Sequence, residues 1–139
     1  MIAEKDKCKN RVHEHLTSRI NDLRRLWAAE CKGVESVEDL GNIYEYGLSF
    51  DYVAPETFGK DQRRGYFRYQ ISWGGPSDEF RFYTDERLQP ERIEYWFLDW
   101  FDGAKVILHG GREKLMLEIW EWFKEGGTVE AKMKEALEV

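Results

Sequence analysis

The sequence predicts an α+β fold in which an aromatic-rich antiparallel sheet is flanked by helices at both ends. Three observations carry this expectation. Apolar residues recur at helical spacing before Gly33, alternate strictly from Ile43 onward, and return to helical spacing after Gly110-Gly111. A chain of 139 residues is long enough to bury one core. The expected organisation is one domain, 1–139, with an N-terminal helix in 1–33, a sheet in 43–108 and C-terminal helices in 111–137.

Val12, Leu16, Ile20, Leu23, Trp27 and Cys31 form the stripe of the first helix, with Arg19, Arg24, Arg25 and Glu30 mostly off it. Gly33 is its stop, because glycine accepts the left-handed conformation at a helix end. Ser36 to Leu40 predicts a further short turn of helix, capped by Ser36 and ended by Gly41. From Ile43, Tyr44, Tyr46, Leu48, Phe50 and Tyr52 would share one face of a strand. After a polar loop from Pro55 to Arg64, a second strand puts Phe67, Tyr69, Ile71 and Trp73 opposite Arg68, Gln70 and Ser72.

Gly74-Gly75-Pro76-Ser77 predicts a turn, and Glu79 to Tyr83 a third strand with Phe80 and Phe82 inward and Arg81 outward. Such short connections imply an antiparallel meander. Ile93 to Phe101 fits a helix or a strand. The strand is preferred for its aromatic content, with Ile93, Tyr95 and Phe97 on one face and Trp96, Leu98 and Trp100 on the other. It makes a meander of four strands, closed by a turn at Asp102-Gly103, and Val106 to Leu108 would add a short fifth. Leu115, Ile119, Trp122 and Phe123, widened by Met116 and Trp120, mark the next helix, and Thr128 caps a last one from Val129 to Leu137.

The chain carries six Trp, seven Tyr and eight Phe, which bury large areas and exclude a disordered class. The two cysteines, Cys8 and Cys31, would sit about 35 Å apart on one helix at 1.5 Å per residue, beyond disulfide reach. Reduced thiols, and a charged start from Met1 to Asn10 that is unlike a signal peptide, point to a cytoplasmic protein. No apolar run is long enough to cross a membrane. Net charge is −6 and uneven: 8 Lys and Arg stand against 5 Asp and Glu through Lys32, and 13 against 22 thereafter. An acidic body argues against direct nucleic-acid binding and suits a basic protein partner.

His13-Glu14-His15 does not chelate, since residues two apart on a helix do not share a face, and no metal or cofactor is expected. Asp99, Asp102 and His109 are the candidates for acid–base chemistry, and they define the alternative of a small enzyme or ligand-binding domain. The Trp73 to Asp78 glycine turn joins two strands and lacks a Walker-type lysine, unlike a phosphate loop. Arg68 and Arg81, with Tyr66 and Tyr83 nearby, define a second alternative, a single-strand nucleic-acid binder. Glu45, Asp51 and Glu79 would dilute its field. The cluster Tyr95 to Phe101 belongs to the sheet core on one face and would be covered on the other by the C-terminal helix through Trp120, Trp122 and Phe123; tryptophans left uncovered would make a protein contact or a homodimer.

The stretch Tyr66-Phe67-Arg68-Tyr69-Gln70-Ile71-Ser72-Trp73-Gly74-Gly75-Pro76-Ser77-Asp78-Glu79-Phe80-Arg81-Phe82, with Ile93-Glu94-Tyr95-Trp96-Phe97-Leu98-Asp99-Trp100-Phe101-Asp102-Gly103-Ala104, resembles small proteins carried on plasmids, prophages and integrative elements. No activity is attached to that family. The resemblance implies a mobile-element setting, in which small acidic proteins block host restriction or CRISPR components. The expectation is therefore a non-catalytic protein-binding module of anti-restriction or anti-CRISPR type, with Trp73, Asp78, Glu79, Trp96 and Trp100 carrying the contact.

Overall fold

The structure, a computed structural model, describes residue 3 and residues 7–138. Helix α1 spans Cys8–Cys31 and the one-turn helix α2 spans Ile43–Tyr46. Strands β1 (Ser49–Val53), β2 (Tyr66–Ser72), β3 (Ser77–Thr84), β4 (Pro90–Asp99) and β5 (Asp102–Ile107) follow, then α3 (Gly110–Glu125) and α4 (Thr128–Leu137). The α+β class stands, with an antiparallel sheet of five strands in the order β1-β2-β3-β4-β5. Residues 1, 2 and 4–6 of the expected first helical segment lie outside the described residues.

The helices cover one face of the sheet. Phe50, Phe67, Tyr69, Phe80, Phe82, Ile93, Tyr95 and Phe97 point toward them in period two and are all buried. Trp120 of α3 sits at the centre of this layer, fully buried, with Phe67 at 5.1 Å, Phe82 at 5.0 Å and Phe50 at 6.1 Å. Its indole N–H donates to the Leu88 carbonyl at 3.1 Å, so the one polar atom of the ring is satisfied.

α1 buries Cys8, Val12, Leu16, Ile20, Leu23 and Leu26. The expected stripe is followed as far as Leu23. Leu26 then takes the place of Trp27, which is half-buried, and Cys31 is exposed. A straight helix has 3.6 residues per turn, so a stripe drawn with steps of four drifts off the core. At its C-terminus Gly33 takes φ +75° and the Val34 N–H reaches back to the Ala29 carbonyl at 2.9 Å.

Several boundaries differ from the sequence expectation for local reasons. Ser36 to Leu40 is a turn closed by a Val37–Gly41 bridge rather than a helix. The aromatic alternation from Ile43 to Tyr46 is helical, because the Asn42 side chain caps the Glu45 N–H at 3.0 Å and Ile43 is buried. The strand therefore begins only at Ser49. Trp73 lies beyond the end of β2 and is exposed. The β4–β5 turn is Trp100-Phe101, and Asp102-Gly103, expected as the turn, opens β5 instead.

A buried polar network joins the middle of α1 to the sheet. Asp78, at the start of β3, is 2% exposed. It accepts from Arg19 of α1 through Nε at 2.7 Å and Nη2 at 3.1 Å, from the Tyr95 hydroxyl at 2.6 Å, and from Ser72. Arg19 also donates to the Tyr46 hydroxyl at 3.2 Å, which in turn donates to Asp22 at 2.7 Å. A carboxylate sealed from water needs such a fork of donors, and α1 supplies it.

Replacing Asp78 by Ala strands the Arg19 guanidinium and the Tyr95 hydroxyl. Breaking a buried pair costs about 3–5 kcal/mol, and the partial exposure of Arg19 puts the expectation near the lower figure. Urea unfolding of Asp78→Ala should show a loss of roughly 3 kcal/mol. A loss below about 1 kcal/mol would mean that the network does not hold the helix.

Candidate binding surface

The face of the sheet away from the helices is built from Asp51 of β1, Tyr66, Arg68 and Gln70 of β2, Glu79, Arg81 and Tyr83 of β3, Arg92, Glu94 and Trp96 of β4, and Lys105 of β5. Cross-strand neighbours lie within reach of one another, and the charges pair. Arg68 makes a two-pronged contact with Asp51 at 3.0 and 2.7 Å, and Arg81 reaches Glu79 at 2.8 Å. Glu94 is met by Arg92 at 2.9 Å, by Lys105 at 3.5 Å and by the Trp96 indole N–H at 2.9 Å.

The cations also lie against rings. The Arg81 guanidinium sits between Trp96 and Tyr66, 4.0 and 4.6 Å from their centroids, and Arg92 lies 4.6 Å from Tyr83. Long side chains thus lie flat over the sheet and bury Glu79 and Glu94 beneath them. A hollow of about 450 Å³ opens over this face between Phe58 and Trp73.

The second feature is the end of the sheet where β2 turns into β3 and β4 into β5. The meander brings both turns to one end, and a methyl built on Gly75 would lie 3.9 Å from Asp99. Trp73 on one turn is 76% exposed, and Trp100 and Phe101 on the other are 85% and 104% exposed. Asp99 pairs with Asp102, so Trp100 and Phe101 form a two-residue hairpin turn. Trp100 has φ +56°, a left-handed position that hairpins normally give to Gly or Asn.

The flanks of this turn are braced by α1. Asp102 accepts the Cys8 backbone N–H at 2.7 Å, satisfying a donor at the helix N-terminus, and Asp99 takes Arg11 at 2.7 Å. The Cys8 N–H holds the Asp102 carboxyl below its ordinary range, while burial pushes the Cys8 thiol up. His15 stacks on Phe97 at 4.3 Å, and His13 is exposed.

The residues singled out in the sequence divide accordingly. Trp73 and Trp100 both lie at the exposed end, and Trp96 lies half-buried on the open face. Asp78 and Glu79, expected in the contact, are sealed at 2% exposure each and paired with Arg19 and Arg81. Arg68 and Arg81 share a face with Tyr66 and Tyr83 as expected, with their charges matched by Asp51 and Glu79. Asp99 and Asp102 serve the N-terminus of α1, and His109 lies beyond the other end of β5, about 20 Å of strand away, so the three do not converge. Phe101, read only as the end of the Tyr95 to Phe101 cluster, and Phe58 were not among the expected contact residues. An aromatic pair between Asp99 and Asp102, residues able to frame a two-residue turn, was the signal for Phe101.

What this geometry defines is an α+β module with one open, charge-paired sheet face and an aromatic end. No family model, curated protein or solved structure matches the chain. Among the described residues no cluster of side chains could hold a metal ion, and no helix is long and apolar enough to cross a membrane.

Burial pushes Tyr46 and Tyr66 up to about 12, and it raises Tyr52, Tyr69, Tyr83 and Tyr95 as well, all from an ordinary value of 10.0. The native state therefore keeps protons that the unfolded chain releases. Its stability is intact below pH 10 and falls as pH climbs from there toward 12. Tyrosinate absorbance followed with circular dichroism should show most phenols ionising together with unfolding. Independent ionisation near pH 10 in a folded chain would contradict this burial.

Proposed function

We propose that this protein is a non-catalytic protein-binding module whose contact surface is the aromatic end formed by Trp73, Trp100 and Phe101. The observation that carries the reading is Trp100, a large ring held 85% exposed in a left-handed turn position. Stability alone favours glycine there, and the left-handed conformation costs a side-chain-bearing residue about 1–2 kcal/mol. Strain kept at an exposed aromatic residue supports a role in recognition, and tryptophan is the residue type most enriched among binding hot spots. The catalytic alternative loses support because Asp99 and Asp102 are engaged by α1 while His109 lies far off. The nucleic-acid alternative is weakened because Arg68 and Arg81 already carry carboxylate partners.

The resemblance to mobile-element proteins and the net charge of −6 favour a basic, nucleic-acid-handling host protein as the partner, such as a restriction or CRISPR component. Tagged protein should retain such a partner from host lysate and lose it as salt rises. Trp100→Gly should keep or slightly raise the melting temperature while weakening capture by at least about 30-fold, the loss of one hot spot of about 2 kcal/mol. Undiminished capture by Trp100→Gly and Trp73→Ala would remove the hairpin end from the contact, and no basic partner at moderate salt would remove the proposal.

A further inference from the structure

α1 and α3 lie side by side and run in the same direction. Arg112 donates to Thr17 near the start of α3, Trp27 donates to Glu118 further along, and Cys31 lines the seam with Trp122 and Glu125. The seam is open. A groove of about 540 Å³ runs over Trp27, Leu117 and Trp122, and a hollow of about 360 Å³ continues it toward Gly111. From Gly111 to Glu125 the groove follows α3 for about 21 Å at the helical rise. Tyr44, 66% exposed, stands 4.4 Å from Trp122 and extends the apolar floor across α2.

The charges along this groove reverse from one end to the other. Arg24 and Lys114 line it where α3 begins, and Glu121 and Glu125 where α3 ends. Glu118, between them, accepts the Trp27 indole N–H at 3.0 Å. A surface that is apolar at its centre and opposite in sign at its ends matches itself after a half turn. That is the condition for an isologous two-fold interface. A foreign basic helix would satisfy the glutamates and set like charge against Arg24 and Lys114. A second copy satisfies both ends.

We propose that this groove is the interface of a two-fold homodimer. In it α1 and α3 of each copy run antiparallel to those of the other, with Trp27 and Trp122 at the centre. Arg24 and Lys114 of one copy face Glu121 and Glu125 of the other. Because α1 starts at the aromatic end of the sheet, the two aromatic ends point away from each other and stay open to partners.

Sedimentation velocity from about 1 to 100 µM tests the arrangement, a range that brackets self-association of micromolar affinity. The wild type should be a dimer. The variant Glu121→Lys/Glu125→Lys, positive at both ends, and the variant Arg24→Glu/Lys114→Glu, negative at both, should each dissociate at least about 30-fold more readily. An equimolar mixture of the two should recover the dimer. All four positions are at the surface or line an open groove, and circular dichroism establishes that each variant is folded. A monomeric wild type across the range, a variant that still pairs with itself, or a mixture that stays monomeric overturns the proposal. So does a monomer whose groove takes up a lysine-rich amphipathic peptide instead.

Discussion

The seating of α1 on the sheet centres on one buried carboxylate. Asp78 opens β3 at a point where the sheet is covered by α1, and it has almost no water of its own. Its oxygens must be met by protein donors, and Arg19, Tyr95 and Ser72 meet them. Hydrophobic contact alone would let a long helix slide or rotate by a fraction of a turn at little cost. The fork from Arg19 allows one axial position, and through Tyr46 and Asp22 the same position is imposed on α2. Such a pair adds uniqueness more than net stability, since each charge gives up its hydration to form it.

Class and strand order were legible because they depend on periodicity. The runs Phe67 to Ile71 and Phe80 to Phe82 alternate as half-buried strands do, and Ile93 to Phe97, which fits a helix as well, was decided by its aromatic content. The segment Ile43 to Tyr46 misled because its alternating aromatics fit a strand equally well, and the deciding term was a single side-chain cap from Asn42. The hairpin at Trp100-Phe101 was displaced by two residues in the reading because Asp-Gly is the stronger turn signal. Here Gly103 sits in β5. Asp78 could not be recognised as buried, since Arg19 and Tyr95, which seal it, are 59 residues earlier and 17 residues later in the chain. Long-range polar pairing leaves no local mark.

The open face of the sheet pairs its own charges. Arg68, Arg81, Arg92 and Lys105 lie among tyrosines and a tryptophan, the residue set of a nucleic-acid platform. Each cation is nonetheless partnered by a carboxylate on the same face, and two of those carboxylates, Glu79 and Glu94, are buried under the side chains they neutralise. Counter-ion release, the main source of affinity for phosphate backbones, is then small, because the protein supplies its own counter-ions. The face acts as a rigid, hydrogen-bonded floor from which the turns project.

The bracing of the aromatic hairpin by α1 has an entropic consequence. A two-residue turn carrying large rings would ordinarily sample many orientations on the nanosecond scale and would have to surrender that freedom on association. With Asp99 held by Arg11 and Asp102 held by the first amide of a 24-residue helix, the backbone on both sides of the rings is already fixed. A macromolecule that docks on Trp100 and Phe101 therefore meets a preorganised pair. Less of the contact energy is spent on immobilisation, which lets two side chains supply more affinity than their area suggests.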